Sequence, residues 1–244
     1  MARHKSYAVF DIDGTLVRWQ LYHALADLLT DQKLISPQDY QPILELRQEW
    51  RNRLSNDAYD RYEQRLIKLL DQVLDGINYD LFLEGCKQVC DQHKDQVYAY
   101  TRNLIKELRA RDYLVFAISA SPVELVANIA GYYGFSDFAG SQRMVVDHKL
   151  TKKNSLLFGE AKKTKLIKLI NQHQAIQANS IGVGDTIGDS YFLDYVKQPI
   201  AFNPSQSLFD YAKQNKWQVV IERKNIIYNL EMNSYGQYIL ADTK

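Results

Sequence analysis

Tyr7-Ala8-Val9-Phe10-Asp11-Ile12-Asp13-Gly14-Thr15-Leu16 sets two carboxylates two residues apart at the end of an apolar run. Tyr7 to Phe10 reads as a buried strand, and Gly14 breaks it just past the second acid. Asp11 and Asp13 therefore fall where the chain leaves a sheet, which is where open α/β folds keep their active sites. Side chains at i and i+2 of a strand point the same way, so the two acids share one site unless the turn intervenes. Two neighbouring anions repel, and a cation or a phosphate-bound metal offsets that repulsion.

Outward from this stretch the texture of the chain changes twice. From Val17 to about Lys94 the apolar spacing is helical, with Leu21, Leu25, Leu28 and Leu29 on one face and Leu66, Ile67, Leu69 and Leu70 on part of another. Ser36-Pro37-Gln38-Asp39 reads as a helix start, with serine as N-cap and proline in the first turn. From about Tyr98 helix and strand alternate. A helix through Leu104 and Leu108 leads to an apolar central strand at Tyr113 to Ile118. Helices from about Pro122 and Lys163, strands at Ser180 to Val183 and Pro199 to Phe202, and a short helix after Asp189 complete the series. This alternation predicts an α/β fold with a three-layer, doubly wound parallel sheet and right-handed crossovers. Residues 1–16 and 95–244 then form the α/β core, and residues 17–94 form an inserted α-helical cap. Emerging just after Asp13, the cap is expected to act as a lid over the strand ends.

Thirty lysines and arginines nearly balance twenty-nine acids, a formal charge of +1, so no strong field draws the chain to nucleic acid or to a membrane surface. A small molecule is the simpler partner. Met1 to Lys5 carry no apolar leader and no stretch is long enough to span a bilayer, which makes the cytoplasm the expected location. Cys86 and Cys90 are too few for a zinc site or a disulfide framework and read as small core residues.

Three further segments carry chemistry. Ser119-Ala120-Ser121-Pro122-Val123-Glu124 contains the capping-box spacing Ser121-x-x-Glu124, which predicts a helix N-terminus. There the Ser119 hydroxyl and the Ala120 N–H would hold an anion, unless the segment is only an ordinary capped helix. Gly182-Val183-Gly184-Asp185-Thr186-Ile187-Gly188-Asp189 puts two more acids at a strand end. Such hard oxygen ligands suit Mg²⁺, with Asp185 the better candidate and Asp189 either a ligand or a helix N-cap. Lys162-Lys163-Thr164-Lys165-Leu166-Ile167-Lys168-Leu169-Ile170 reads as a helix with a buried stripe, whose first-turn lysine either neutralises carboxylates or joins a solvated basic face.

In this order the segments resemble the four motifs of the haloacid dehalogenase superfamily, in its phosphoserine phosphatase-like subfamily with a helical cap. Asp11-x-Asp13-Gly14-Thr15 is similar to motif I, Ser119 to motif II, Lys163 (with Lys162 as the alternative) to motif III, and Gly184-Asp185-x-x-x-Asp189 to motif IV. The resemblance implies a HAD-like Rossmannoid core and a phosphatase that hydrolyses a small phosphate monoester. Asp11 would attack phosphorus to give an aspartyl-phosphate, Asp13 would act as general acid and base, and Ser119, Lys163 and the Ala120 N–H would hold the phosphoryl group. Mg²⁺ would be held by Asp11, the backbone carbonyl of Asp13 and Asp185, with Asp189 in support. Dehalogenases of the superfamily lack the second acid, so Asp13 favours phosphate chemistry. The chain departs from phosphoserine phosphatase at Gln20, where that enzyme has an acid for the substrate amine, and at Gly188, where it has asparagine. A phosphotransferase using the same aspartyl-phosphate and a non-catalytic phosphate-ligand binding protein are the alternative readings. Gln20 with Trp19, Tyr22 and His23 either lines a leaving-group pocket or packs a helix, and Arg47 and Arg51 either grip an acidic substrate or face solvent.

Overall fold

The computed structural model describes residues 4–55 and 57–243. The chain runs β1 (Ser6–Phe10), α1 (Leu21–Asp31), α2 (Pro37–Arg51), α3 (Ala58–Val73), α4 (Tyr79–His93), α5 (Ala99–Ala110) and β2 (Leu114–Pro122). It continues through α6 (Val123–Tyr133), β3 (Asp137–Val146), β4 (Lys149–Ser155), α7 (Glu160–His173) and β5 (Ile176–Gly184). A 3₁₀ turn at Ile187–Asp189 leads into α8 (Ser190–Leu193), β6 (Gln198–Phe202), α9 (Gln206–Asn215), β7 (Gln218–Arg223), β8 (Ile226–Met232) and β9 (Tyr238–Thr243).

Among the described residues the strands follow the order β4-β3-β2-β1-β5-β6-β7-β8-β9. Strands β3, β2, β1, β5, β6 and β7 pair in parallel, as the helix–strand alternation predicts, while β4, β8 and β9 are antiparallel additions. The chain moves outward on one side of β1 through β2 and β3, then returns to the other side at β5. The C-terminal ends of β2, β1 and β5 therefore flank the topological switch point, where such sheets open a crevice. Phe10 is level with Ala117 of β2 and Val183 of β5, so the residues just beyond all three strands emerge side by side.

By its contacts the chain divides into two compact units, one of residues 1–20, 93–141 and 156–244, and one of residues 21–92 and 142–155. In the first, Tyr7, Val9, Phe116 and Ile118 meet Leu166 and Leu169 of α7, Phe192 and Leu193 of α8, and Leu208 and Ala212 of α9. Full burial of each large apolar side chain contributes roughly 2 kcal/mol, and Tyr7 to Phe10 are completely buried.

The second unit consists of α1 to α4 and the hairpin formed by the end of β3 with β4. Leu150 of the hairpin exchanges backbone hydrogen bonds with Gly76 and Ile77, and Arg143 pairs with Asp71. Ser36 caps α2 by accepting from the Asp39 N–H at 3.1 Å, with Pro37 as first helical residue. Arg47 neither faces solvent nor is offered to a ligand. It is buried, donating to both Asp27 oxygens (2.8 and 3.0 Å), to Tyr62 Oη (2.9 Å) and to Tyr40 Oη (2.7 Å). His23 is also buried, its ring 4.6 Å from that of Tyr62. Burial and the adjacent Arg47 lower its pKa to about 3, so it packs as a neutral ring.

Candidate active site

β1 hands Asp11 to the crevice, and the Asp11 N–H donates to the Val183 carbonyl at 3.0 Å, fixing the acid beside the end of β5. The loop beyond closes on itself. The Leu16 and Val17 N–H groups both donate to the Ile12 carbonyl, and the Gly14 N–H donates to the Val17 carbonyl. Gly14 has φ of +80°, and a Cβ there would stand 2.2 Å from Asp185 Oδ2. Only glycine satisfies both the turn and that close approach. Thr15 next to it donates its hydroxyl to Asp185 Oδ1 at 3.0 Å, and Thr101 on α5 ties down the Thr15 carbonyl.

Asp13, 9 % exposed, turns to β2, where Ser119 Oγ donates to its Oδ2 at 2.8 Å. The same Ser119 oxygen accepts the Ser121 N–H at 3.0 Å. The expected Ser121–Glu124 capping box does not form. β2 runs through Pro122, which is itself the N-cap of α6, and makes no side-chain cap bond. Ser121 is thus one residue too early, still held in the strand. Ala120 is exposed at this strand end, its carbonyl fixed by Ser141 Oγ at 2.6 Å.

The lysine of the cluster is Lys162, which corrects the expectation of Lys163. Lys162 Nζ donates to Asp11 Oδ1 at 2.8 Å and to Asp189 Oδ1 at 2.6 Å, and the side chain is almost wholly enclosed. Lys163 is half-buried, with Nζ 5.9 Å from the centre of the Tyr195 ring. The reason is helical phase: Lys162 lies on the buried stripe of α7 with Leu166 and Leu169. Lys163 shares its stripe with Ile167 and Ile170, which are only half-buried.

Asp189 is fully buried and stands at the N-cap position of α8, but its side chain makes no cap bond to that helix. Its Oδ2 accepts from the Asp185 N–H (3.1 Å), the Thr186 N–H (3.0 Å) and Thr186 Oγ1 (3.1 Å), the last position of a capping box opened by Thr186. The Asp189 side chain thereby shapes the loop that presents Asp185. A side chain at Gly184 would meet Asp189 Cβ at 2.5 Å, so the loop closes only over glycine.

Carboxylate oxygens of Asp11, Asp185 and Asp189 all lie within 4.8 Å of one another, whereas that of Asp13 is outside this trio. Burial pushes the Asp11 carboxyl well above its ordinary range. Lys162 opposes that shift, and the charges of Asp189, Asp185 and Asp13 add to it. Asp185 is likewise raised, first by burial and then by Asp189. Burial alone would depress Lys162, but its two carboxylate partners raise its pKa and keep it protonated. Thr15 and Thr186, which orient Asp185 and Asp189, are marked in the sequence only by standing next to Gly14 and Asp185. Among the described residues no hydrogen bond joins the half-buried Gln20 to the cluster.

A family model described as haloacid dehalogenase-like hydrolase matches residues 8–194, and the chain belongs to that family. No curated protein matches the sequence. Among solved structures, a protein of unknown function from Bordetella pertussis Tohama I is similar at 18 % identity and a TM-score of 0.71, covering 90 % of this chain and 99 % of its own. A phosphoserine phosphatase solved as a phospho-aspartyl intermediate analogue is similar at 21 % identity and 0.63, covering 91 % and 95 %. A phosphoserine phosphohydrolase-like protein from Francisella tularensis subsp. tularensis SCHU S4 is similar at 15 % and 0.59, covering 90 % and 95 %. At these identities the likeness is one of fold. Among the described residues no helix is long and apolar enough to cross a membrane.

Proposed function

We propose that the protein is a Mg²⁺-dependent phosphatase that hydrolyses a small phosphate monoester through an aspartyl-phosphate on Asp11. The observation that carries this reading is the enclosed Asp11–Lys162–Asp189 arrangement with Asp185 beside it, one fixed cation among three carboxylates. Lys162 engages Asp11 Oδ1, which leaves Oδ2 to attack phosphorus. As that bond forms, the bond from phosphorus to the ester oxygen breaks, and Asp13 gives its proton to the departing oxygen. Asp13 then takes a proton from the water that attacks the aspartyl-phosphate, restoring Asp11 and releasing phosphate. Ser119, bonded to Asp13 Oδ2, holds that carboxyl in one orientation. Lys162 and the strand-end N–H groups, that of Ala120 included, offset charge on the phosphoryl oxygens.

The donor set also fits a hard divalent cation, because three carboxylates converge with a single lysine and burial leaves their repulsion poorly screened. Asp11, the Asp13 carbonyl and Asp185 would hold Mg²⁺. Asp189 would contribute through the loop, since Lys162, two backbone N–H groups and a hydroxyl already occupy its oxygens. When bound, the ion neutralises the carboxylates and the phosphoryl group. The inserted helical segment read from the sequence as residues 17–94 is the part of the chain to which we assign selection of the leaving group.

A pH dependence follows from the raised carboxyls. In cation-free protein, Asp11 and Asp185 retain protons that the unfolded chain has already lost above its ordinary carboxylate value of 3.8. The folded state then binds more protons than the unfolded one, so stability falls as pH rises toward the elevated values. In EDTA the melting temperature should be lower near about pH 8 than near about pH 5.5, and Mg²⁺ should restore it at the higher pH. Phosphate release should need Mg²⁺, and Asp185→Ala should abolish both effects of the ion. Activity that persists in EDTA and in Asp185→Ala would remove the metal from the account.

A further inference from the structure

The loop that shapes the crevice does not end at Val17. Arg18 follows directly, its N–H donating to the Gln96 carbonyl at 2.8 Å, while Val17 accepts from Gly14 and bridges Val97. The Arg18 side chain is exposed, and its guanidinium carbon stands 5.8 Å from the centre of the Tyr98 ring. That ring packs edge-on against Phe202 at the end of β6, with centroids 5.0 Å apart. Three residues on, the Ser205 N–H donates to the Asp185 carbonyl at 2.8 Å. The continuous path Arg18–Tyr98–Phe202–Ser205–Asp185 puts the guanidinium on the rim of the same strand ends that carry the carboxylates. Burial first, and then the charge of Asp185, push the Tyr98 hydroxyl pKa up, in keeping with that placement.

Among the described residues no carboxylate pairs with Arg18. The segment after it, Trp19 and Gln20, has no acid either. Glu222, the acid beside Tyr98, spends its two carboxylate oxygens on the Ala99 and Tyr100 N–H groups at the start of α5, at 3.1 and 2.8 Å. The Arg18 guanidinium, a planar five-donor cation held against the Tyr98 ring, is thus left to meet carboxylate or phosphate oxygens and is unfavourable to an ammonium.

We propose that Arg18 determines specificity by binding a second anionic group on the leaving alcohol, so that the preferred substrates are phosphate monoesters bearing a carboxylate or a second phosphate. The proposal rests on the phosphatase reading and narrows its substrate class.

Its test is kcat/KM for Mg²⁺-loaded enzyme on four esters that share the reacting group: glycerol 2-phosphate with a neutral tail, 3-phosphoglycerate with a carboxylate, fructose 1,6-bisphosphate with a second phosphate, and phosphoethanolamine with an ammonium. The wild type should favour at least one anionic ester over the neutral one and should disfavour the ammonium. Arg18→Ala should lower the anionic-to-neutral ratio by about fivefold, the worth of a partly solvated charge pair. Arg18→Lys should retain most of the ratio and Arg18→Glu should invert it toward the ammonium. The two anionic arms separate a carboxylate subsite from a phosphate one. A merely structural Arg18 would lower all four rates together along with the melting temperature. Hydrolysis with the ratios unchanged in all three variants overturns this inference alone. No hydrolysis of any ester by the wild type overturns the phosphatase reading and this inference with it.

Discussion

Asp11→Asn is expected to reduce phosphate release by at least about 10⁴-fold while the far-ultraviolet circular dichroism stays that of the wild type. The amide keeps the shape of the carboxylate and can still accept the Lys162 hydrogen bond now at 2.8 Å, so the crevice keeps its packing. It has lost the anionic oxygen that must attack phosphorus. A purified Asp11→Asn variant that turned over near the wild-type rate would show that the nucleophile lies elsewhere.

The second large effect separates two adjacent lysines. Lys162→Ala removes the cation shared by Asp11 and Asp189, leaving enclosed carboxylates without their partner. Breaking a buried pair in this way costs about 3–5 kcal/mol, read as a lower denaturation midpoint in EDTA. Turnover with Mg²⁺ should fall by roughly 10²–10³-fold, as for loss of one charge-stabilising donor. Lys163→Ala, one residue on and against the Tyr195 ring, should shift stability by no more than about 0.5 kcal/mol and leave turnover within a small factor of the wild type. Measuring both variants side by side decides the matter. A larger loss of turnover in Lys163→Ala than in Lys162→Ala would mean that the α7 side chains are exchanged in the working enzyme.

That pair also marks the limit of what the sequence discloses. The strands of the sheet centre are legible because each is a short, mostly apolar run closed by a polar residue or glycine, as at Tyr7 to Phe10 before Asp11 and Leu114 to Ile118 before Ser119. Asp11, Asp13, Ser119 and Asp185 follow from those ends. Lys162 and Lys163 do not separate, because both continue into apolar positions at helical spacing, Leu166 and Leu169 for one and Ile167 and Ile170 for the other. Only the packing of α7 on the sheet decides which stripe turns inward. The hairpin Gln142 to Ser155 escapes notice for a different reason. Lys149, Thr151, Lys152, Lys153 and Asn154 show no alternation, and Leu150 alone is buried, so its structure comes from backbone bonds to Gly76, Ile77 and Tyr79 that are distant in sequence. The roles of Arg47 and His23 are ambiguous in the sequence for a related reason: nothing in their helical spacing reveals Asp27, Tyr40 and Tyr62 closing around them.

The central claim, a covalent phosphoryl group on Asp11, is tested most directly by acid-quenching Mg²⁺-loaded enzyme during turnover of an activated aryl phosphate and weighing its peptides. The account predicts one phosphoryl group on the peptide containing Asp11, released by hydroxylamine and absent from Asp11→Asn. Phosphate released while that peptide never gains mass, or a phosphoryl group found on any other residue, would contradict it.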